Sequence, residues 1–264
     1  MSRHPAYGQL RQVTPWAAVL LAHNPGPMTL DGTNTWVLRD PNSTAVVVVD
    51  PGPDDPAHLS AVAAAGGVST ILLTHGHPDH SAGARRLYEL TGAPVRAFDT
   101  ANRIGSLGLT DGEVIEAAGV ELRVWVTPGH TADSVSFVLE RAGGPQAVVT
   151  GDTVLGRGTT VVAYPDGDLG DYLWSLRRLR QLGDVVVLPG HGCELPAAAP
   201  AIDEYLAHRE MRLAQVRDAL GVFGRDVSPR TIVERLYADL DPALWPAAEL
   251  TVRAQLAYLR EQEG

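Results

Sequence analysis

The chain has 264 residues, of which 45% are hydrophobic and 20% charged, a composition typical of a soluble globular protein. This length suits one large domain, or a domain of about 200 residues followed by a small module. The formal net charge of −10 gives the chain no overall attraction to nucleic acid or to an anionic membrane, so both are disfavoured as general partners.

The N-terminal region has neither the form of a signal peptide nor that of a membrane span. Two arginines precede the apolar run at residues 16–22, but Pro15 interrupts the approach. The run is also far shorter than the roughly 20 residues that a membrane helix needs, and we interpret it as a buried strand. Cys193 is the only cysteine, so an intrachain disulfide is impossible. The sequence therefore predicts a cytoplasmic protein that does not enter a membrane, and it leaves the oligomeric state open.

The first two thirds of the chain alternate apolar strands with helical segments. Several strands, such as Ala45–Val49, are so apolar that both of their faces must be covered. Helical patterns lie between them at residues 54–67, 81–89 and 169–182. Apolar strands inside and helices outside predict a layered αβ sandwich. The predicted strands are residues 19–22, 36–38, 44–49, 69–73, 95–98, 121–126, 135–139, 147–149 and 185–188.

The predicted secondary structure changes after Pro196. From residue 197 onward there is no convincing strand, only three helical patterns. They are separated by Ser228-Pro229 and by Asp241-Pro242 with Pro246. We therefore predict an αβ catalytic domain at residues 1–196 and a helical C-terminal module at residues 197–264.

The strongest chemical signal is the motif THGHPDH at residues 74–80, directly after the predicted strand 69–73. Three histidines and an aspartate within six residues are far above chance in a chain with 9 histidines. A loop that leaves the end of a buried strand is held rigidly, and αβ folds place their ligands there. Histidines two residues apart can converge on one ion, while Asp79 and His80 face a second.

Three later predicted strands are also followed by a residue of a type that commonly binds metals. His130 follows strand 121–126, Asp152 follows strand 147–149 and His191 follows strand 185–188. Glycines beside each of them allow the sharp turns that bring a backbone close to a bound ion. Imidazoles with a few carboxylates suit Zn²⁺, with iron and manganese as alternatives.

Together with the sequence VDPG at residues 49–52, these segments resemble the ordered motif set of the metallo-β-lactamase superfamily across residues 13–195. The resemblance implies an αββα sandwich that binds two metal ions. It also implies that Asp50 orients a ligand from behind rather than touching metal. The implied ligands are His75, His77 and His130 for one ion, Asp79, His80 and His191 for the other, and Asp152 as a bridge between both.

A narrower likeness points to the β-lactamase-like protein 2 group. It is carried by residues 24–29, 32–36, 171–176 and 208–212. That group ends in a small winged-helix-like module, which matches the helical appendage predicted here. One departure is at residues 254–256, where Ala-Gln-Leu stands in place of the usual His-Leu pair.

The implied reaction is hydrolysis by a hydroxide that bridges two metal ions, with Asp79 carrying a proton toward the leaving group. The favoured substrates are small acyl compounds, namely β-lactams, thioesters or esters. The alternative, implied by the β-lactamase-like protein 2 group, is an endoribonuclease acting on single-stranded RNA. No segment combines clustered basic residues with aromatic ones, so the sequence gives this alternative little electrostatic support. Two further hypotheses are iron-dependent oxygen or sulfur chemistry and a binding module without catalysis.

Four residues outside the metal motifs are candidates for the substrate pocket: Asn34, Thr35, Tyr164 and His208. Each has a structural alternative, such as a turn-stabilising asparagine at position 34 or an ordinary helix-face histidine at position 208. The remaining histidines, His4, His23 and His58, are predicted to lie at the surface or in turns.

Overall fold

In a computed structural model, which describes residues 7–263, two β-sheets face each other and helices cover both outer faces. His4 lies outside the described residues. The strands are β1 Arg11–Thr14, β2 Ala17–Leu21, β3 Asn34–Leu38, β4 Ala45–Val49, β5 Gly67–Leu72, β6 Val95–Arg96, β7 Val114–Ala117, β8 Val120–Val126, β9 Val135–Arg141, β10 Gly144–Gly151 and β11 Val186–Pro189. The helices are α1 Pro56–Ala63, α2 Pro78–Ser81, α3 Ala84–Thr91, α4 Leu169–Arg180, α5 Ala198–Phe223, α6 Pro229–Leu236 and α7 Trp245–Glu263, with short 3₁₀ turns at Thr100–Asn102 and Pro242–Leu244.

The two sheets have mixed topology. The first has the order β1-β2-β3-β4-β5-β6, and β4, β5 and β6 within it are parallel. The second has the order β11-β10-β9-β8-β7, with β10 and β11 parallel and the other pairs antiparallel. Strands β8, β10 and β11 therefore run in one direction, and their carboxyl ends lie at one edge of the second sheet.

Strand β4 is an unbroken apolar run because both of its faces are buried. Val47 and Val49 pack between the two sheets, whereas Val46 and Val48 pack against the helices α1 and α3. All four side chains are fully buried. A strand covered on both faces has no polar side, so periodicity of two is invisible in its sequence. This packing confirms the predicted αββα sandwich.

The structure adds detail that the sequence pattern did not predict. Two strands, β1 and β7, were missed because they carry exposed side chains at sheet edges. The helix predicted at 81–89 is two helices, α2 and α3, separated at Gly83. A Cβ at Gly83 would lie 2.7 Å from Leu59 Cδ2 and 3.0 Å from Gly52 O, so the chain passes there too closely for a side chain.

The C-terminal region is helical, as predicted, and residues 197–263 contain no strand. Pro246 lies in the first turn of α7 rather than between two helices, a position where its missing N–H costs no hydrogen bond. Helices α4, α5 and α7 share one apolar cluster on the outer face of the second sheet. The domain division between residues 196 and 197 stays a prediction. Within residues 7–263, no helix combines the length and hydropathy needed to cross a bilayer.

Candidate metal centre

The candidate metal ligands lie on loops that leave five strands at the same edge of the sandwich. Asp50 follows β4 and the THGHPDH motif follows β5, while His130, Asp152 and His191 follow β8, β10 and β11. Contacts between the sheets fix this edge. Asn34 N donates to Gly190 O at 2.8 Å, and Val135 N donates to Thr74 O at 2.8 Å.

Three histidines form the first group. His77 Nδ1 lies 3.0 Å from His75 Nε2 and 3.1 Å from His130 Nε2. His75 and His130 are buried, whereas His77 is partly exposed. The three rings therefore point at one centre that opens to solvent on the side of His77.

Asp79, His80 and His191 form the second group. His80 Nε2 lies 3.3 Å from His191 Nε2 and 3.3 Å from Asp79 Oδ2, and His191 Nε2 lies 3.2 Å from the same oxygen. The histidines are buried, while the Asp79 side chain keeps 28% of its surface exposed. This second centre is therefore open on the side of Asp79.

Asp152 lies between the two groups. Its Oδ1 is 3.5 Å from His80 Nε2, and its Oδ2 is 3.3 Å from His191 Nε2 and 3.8 Å from His130 Nε2. Its Oδ1 is buried and has no hydrogen-bond partner within residues 7–263. A carboxylate that reaches both groups and leaves one buried oxygen unsatisfied is suited to join two cations.

The other ring nitrogen of His80 is held by Asp50. Asp50 Oδ2 lies 2.9 Å from His80 Nδ1, and the same carboxylate accepts hydrogen bonds from Thr74 N at 2.8 Å and Thr74 Oγ1 at 2.7 Å. Asp50 does not reach the centre itself. Its position behind the ring fixes the orientation in which Nε2 faces the centre.

Backbone carbonyls hold two of the remaining histidines in the same way. His130 Nδ1 lies 2.7 Å from Val161 O, and His191 Nδ1 lies 3.1 Å from Gly32 O. A ring nitrogen that donates to a carbonyl carries the proton, so the opposite nitrogen presents its lone pair to the centre. Each ring is thus oriented with its other nitrogen toward the centre.

Charge and burial separate the histidines electrostatically. Burial lowers the pKa of His75 and of His130, which favours the neutral, metal-binding form. Burial also opposes a charge on His191, but the carboxylates of Asp152 and Asp79 raise the pKa of His191 to about 9. Asp152 and Asp50 likewise raise the pKa of His80 in spite of its burial. Carboxylates concentrated on one side make that side a strong site for positive charge.

Known proteins share this architecture. A model of the metallo-beta-lactamase superfamily matches residues 28–191. The chain belongs to the metallo-beta-lactamase superfamily. A second model, the beta-lactamase associated winged helix domain, matches residues 228–264, which identifies the module that α6 and α7 form.

Individual relatives support this placement. A "Beta-lactamase-like protein 2 homolog" of Caenorhabditis elegans is 31% identical, covering 91% of this chain and 82% of that protein. An "Atrochrysone carboxyl ACP thioesterase" of Aspergillus fumigatus is 33% identical, covering 82% of this chain and 68% of that protein. The crystal structure of a beta-lactamase domain protein from Burkholderia ambifaria superposes with a TM-score of 0.80 at 25% identity, covering 99% of this chain and 90% of that one. The resemblance to the superfamily and to the β-lactamase-like protein 2 group is thereby confirmed.

The donor set of this superfamily member fits divalent metal ions. Two nitrogens that are each about 2.0–2.1 Å from one tetrahedral zinc ion are about 3.3 Å apart. The facing ring nitrogens here are separated by 3.0–3.3 Å. Five imidazoles and two carboxylates offer the nitrogen and oxygen donors that zinc, iron and manganese accept.

A cavity of about 580 Å³ adjoins the first group. His77 lines it, together with Phe98 and the three carboxylates Asp99, Asp133 and Asp166. Burial and the charges of Asp166 and Asp99 raise the pKa of Asp133. A second cavity of about 580 Å³ shares Phe98 and extends to Trp174, which is 50% exposed. An apolar surface therefore leads away from the candidate centre.

Two of the candidate pocket residues lie inside the fold instead. Asn34 is 1% exposed, and its Nδ2 donates to Pro189 O at 3.0 Å and to Gly192 O at 2.8 Å, so it holds the loop that carries His191. Thr35 is fully buried. Both belong to β3, whose side chains are covered on both faces, and this packing leaves them no surface toward a substrate.

The other two pocket candidates lie on different surfaces. Tyr164 is 43% exposed on the loop between β10 and α4. His208, on α5, lines a separate cavity of about 310 Å³. His23 is exposed as predicted, but the prediction for His58 was wrong. His58 is 5% exposed, and its Nε2 lies 2.9 Å from Thr35 Oγ1, because α1 packs this face onto the first sheet.

Sequence reasoning missed the residues that position the candidate ligands. Thr33 Oγ1 lies 3.3 Å from Asp79 Oδ2, and Thr160 Oγ1 lies 3.2 Å from His130 Nδ1. Thr74 was within the motif, and its place beside His75 was the one available signal. Thr33 and Thr160 are distant in sequence from the ligands they contact, so no local pattern marks them.

Proposed function

We propose that the chain is a metal-dependent hydrolase of acyl thioesters that binds two zinc ions. The observation that carries this proposal is the convergence of donor atoms from seven side chains, three around each of two centres with Asp152 between them. The proposed ligands are those that the family resemblance implies, with Asp50 as the residue that orients His80. Bound zinc would supply Lewis acidity and a nucleophile from water at neutral pH.

Asp79 is the residue that we expect to move the proton. Although burial opposes it, the contacts with His191 and His80 lower the pKa of Asp79, so the carboxylate is ionised at neutral pH. It is also one of the two partly exposed members of the set, the other being His77. A charged oxygen at the open side can accept a proton and pass it to the leaving group.

The surface beside the open side suits an acyl group. The cavities that meet at Phe98 provide space next to His77 and an apolar wall that includes Leu109 and Trp174. Apolar and aromatic walls with a few polar groups are typical of small-molecule sites. The thioesterase name of the Aspergillus fumigatus relative supports a thioester in preference to a β-lactam.

The RNA hypothesis is less well supported. A polynucleotide next to His77 would have to lie against Asp99, Asp133 and Asp166, and the described residues that line this cavity include no arginine. Phosphates are normally bound by positive side chains, and unpaired carboxylates repel them. We therefore place thioester hydrolysis ahead of RNA cleavage.

A substrate panel tests the proposal. Metal-free and zinc-loaded protein would be incubated with S-lactoylglutathione, nitrocefin and unstructured RNA. The expected result is zinc-dependent turnover of the thioester. An Asp79→Asn variant should turn over the thioester about 10²–10⁴ times more slowly. Zinc-dependent cleavage of RNA alone, abolished in the same variant, would overturn the assignment in favour of the nuclease.

Metal analysis complements the activity assay. Protein purified without added metal should contain up to two zinc ions per chain, and Asp152→Asn should lower that number. An iron content with no zinc would contradict the zinc assignment and favour oxygen or sulfur chemistry at the same ligands.

A further inference from the structure

Arg209 on α5 is a buried cation without a carboxylate partner. Its side chain is 2% exposed, and its Nη2 donates to Thr160 O at 2.6 Å. The guanidinium also stacks on the ring of Tyr172 at 5.0 Å. Its Nε has no hydrogen-bond partner, and within residues 7–263 Arg209 forms no ion pair.

This arrangement is unusual in energetic terms. Removing a charge from water costs several kcal/mol unless an opposite charge and hydrogen bonds compensate for it. The Thr160 carbonyl and the side chain of Tyr172 satisfy only part of the five N–H donors of an arginine. A buried guanidinium with unused donors is therefore a group that an anion would stabilise.

The cavity of about 310 Å³ that Arg209 lines is positive on one side. His208 and Arg212, from the same face of α5, line it as well. Arg212 Nε and His208 Nδ1 are also buried, and neither has a hydrogen-bond partner in the described part of the chain. Of the described residues that line the cavity, none carries a carboxylate. In a chain with a net charge of −10, a cavity lined by three basic side chains and by no described carboxylate is a marked local exception.

We propose that this cavity binds a carboxylate or phosphate group, with Arg209 and Arg212 as its principal donors. Guanidinium groups bind both anions through paired N–H donors. The remaining walls include Met28, Leu240 and Leu244, so the anion can belong to a partly apolar molecule. Burial and the neighbouring charges of Arg209 and Arg212 lower the pKa of His208, in agreement with a positive environment.

The cavity shares a wall with the candidate metal centre. Thr160 and Val161 line the cavity, and both also contact His130 Nδ1, at 3.2 Å and 2.7 Å. An anion on Arg209 would therefore steady the loop that orients His130. The anion can come from two sources, an acidic group of the substrate or a free anion in solution. Anion binding itself does not rest on the proposed function, whereas the distinction between these sources does.

Titration calorimetry on the full chain tests the site with inorganic phosphate and with acetate. Each titration is made on metal-free and on zinc-loaded protein, because phosphate also binds zinc and only the cavity site persists without metal. The test variant is Arg212→Gln, which changes a partly exposed side chain and avoids unfolding the core around Arg209. The matched control is Arg217→Gln, an exposed arginine on the same helix that does not line this cavity.

We expect the metal-free wild-type chain to bind at least one of the two anions, and Arg212→Gln to weaken that binding about tenfold. Arg217→Gln should bind like the wild type. Failure of the metal-free chain to bind either anion, or equal weakening in both variants, would overturn the proposal.

A kinetic comparison identifies the source of the anion. With a thioester that carries a free carboxylate and with its neutral methyl ester, Arg212→Gln should raise KM only for the first if the substrate supplies the anion. An unchanged KM for both, with phosphate or acetate binding still lost, identifies a free anion as the ligand. If neither thioester is hydrolysed, the proposed function fails while the calorimetry still decides whether the anion site exists.

Discussion

Buried polar groups have different surroundings in two regions of the molecule. One region is the edge of the sandwich with the candidate metal centre, and the other is the group of C-terminal helices. At the metal edge, His80, His130 and His191 each have one ring nitrogen held by an oxygen and the other turned toward the centre. In α7, Gln255 is fully buried, yet neither atom of its amide has a hydrogen-bond partner among the described residues. One region is ordered by polar contacts between distant loops, and the other by apolar packing.

This difference predicts that metal affinity and the free energy of unfolding depend on different regions of the molecule. The polar contacts at the metal edge orient side chains and contribute little apolar burial, so they should govern metal affinity. The apolar cluster shared by α4, α5 and α7 covers one face of the second sheet, so it should govern the free energy of unfolding. Substitutions in the two regions are therefore expected to have separable effects.

The largest effect on stability is expected from Ile202→Ala in α5. Ile202 is fully buried in this apolar cluster, and its truncation should cost about 2–5 kcal/mol of unfolding free energy. Urea denaturation of the metal-free protein measures the loss. Val222→Ala, at a position of the same helix that is 77% exposed, is the control and should change stability by less than about 0.5 kcal/mol. Weaker zinc binding by folded Ile202→Ala protein would show that the two regions are coupled.

Asp50→Asn is expected to weaken zinc binding while leaving the stability of the fold largely unchanged. Asp50 has a φ of 52°, a conformation that asparagine tolerates, so the backbone should be preserved. One carboxylate oxygen accepts from Thr74 Oγ1 and His80 Nδ1 and the other accepts from Thr74 N, whereas an amide replaces one of these acceptors with an NH2 donor. Zinc affinity should therefore fall about 10–100-fold. Competition with a chelator gives the affinity, and exposed Asp54→Asn is the control. An unchanged affinity would mean that His80 needs no support from Asp50.

The layered fold was predictable because its strands are covered on both faces. Val46–Val49 had to be buried whatever their register, and the leucines of α4 had to face a core. The edge strands β1 and β7 could not be predicted, since their exposed side chains give no clear alternation. Their positions depend on pairing with neighbours rather than on their own composition.

For the candidate metal centre, the identity of the ligands could be predicted from the sequence, but their detailed geometry could not. The motif at residues 74–80 contains three of the candidate histidines, and the order of the motifs along the chain matches that of the superfamily. The choice of ring nitrogen was not predictable, and His77 faces its group through Nδ1 while His75 uses Nε2. The burial of His58 was also missed, because a histidine on a short helix has no local signal that distinguishes a surface from a sheet contact.

Gln255→Met tests whether the unpartnered amide in the C-terminal helices lowers the stability of the protein. A buried amide without partners costs about 1–3 kcal/mol, and an unbranched apolar side chain of similar size removes that cost. The unfolding free energy should therefore rise by about this amount in urea denaturation. Gln262→Met, at an exposed position of the same helix, is the control and should have little effect. A loss of stability in Gln255→Met would show that the amide has a partner in solution, such as bound water.

The smallest effect is expected from His58, and it appears as a slope against pH. Burial lowers the pKa of His58 below its usual value of 6.5, against the opposing charge of Asp55. The unfolded chain therefore binds a proton more readily than the folded one, and stability is lost as the pH falls from 6.5 toward the pKa of the folded state. The informative quantity is the difference in unfolding free energy between wild type and His58→Gln, measured on metal-free protein, because contributions common to both cancel. This difference should favour the wild type more at pH 7.5 than at pH 5.5. A difference that is constant across this range would mean that His58 is as accessible to protons in the folded chain as in the unfolded one.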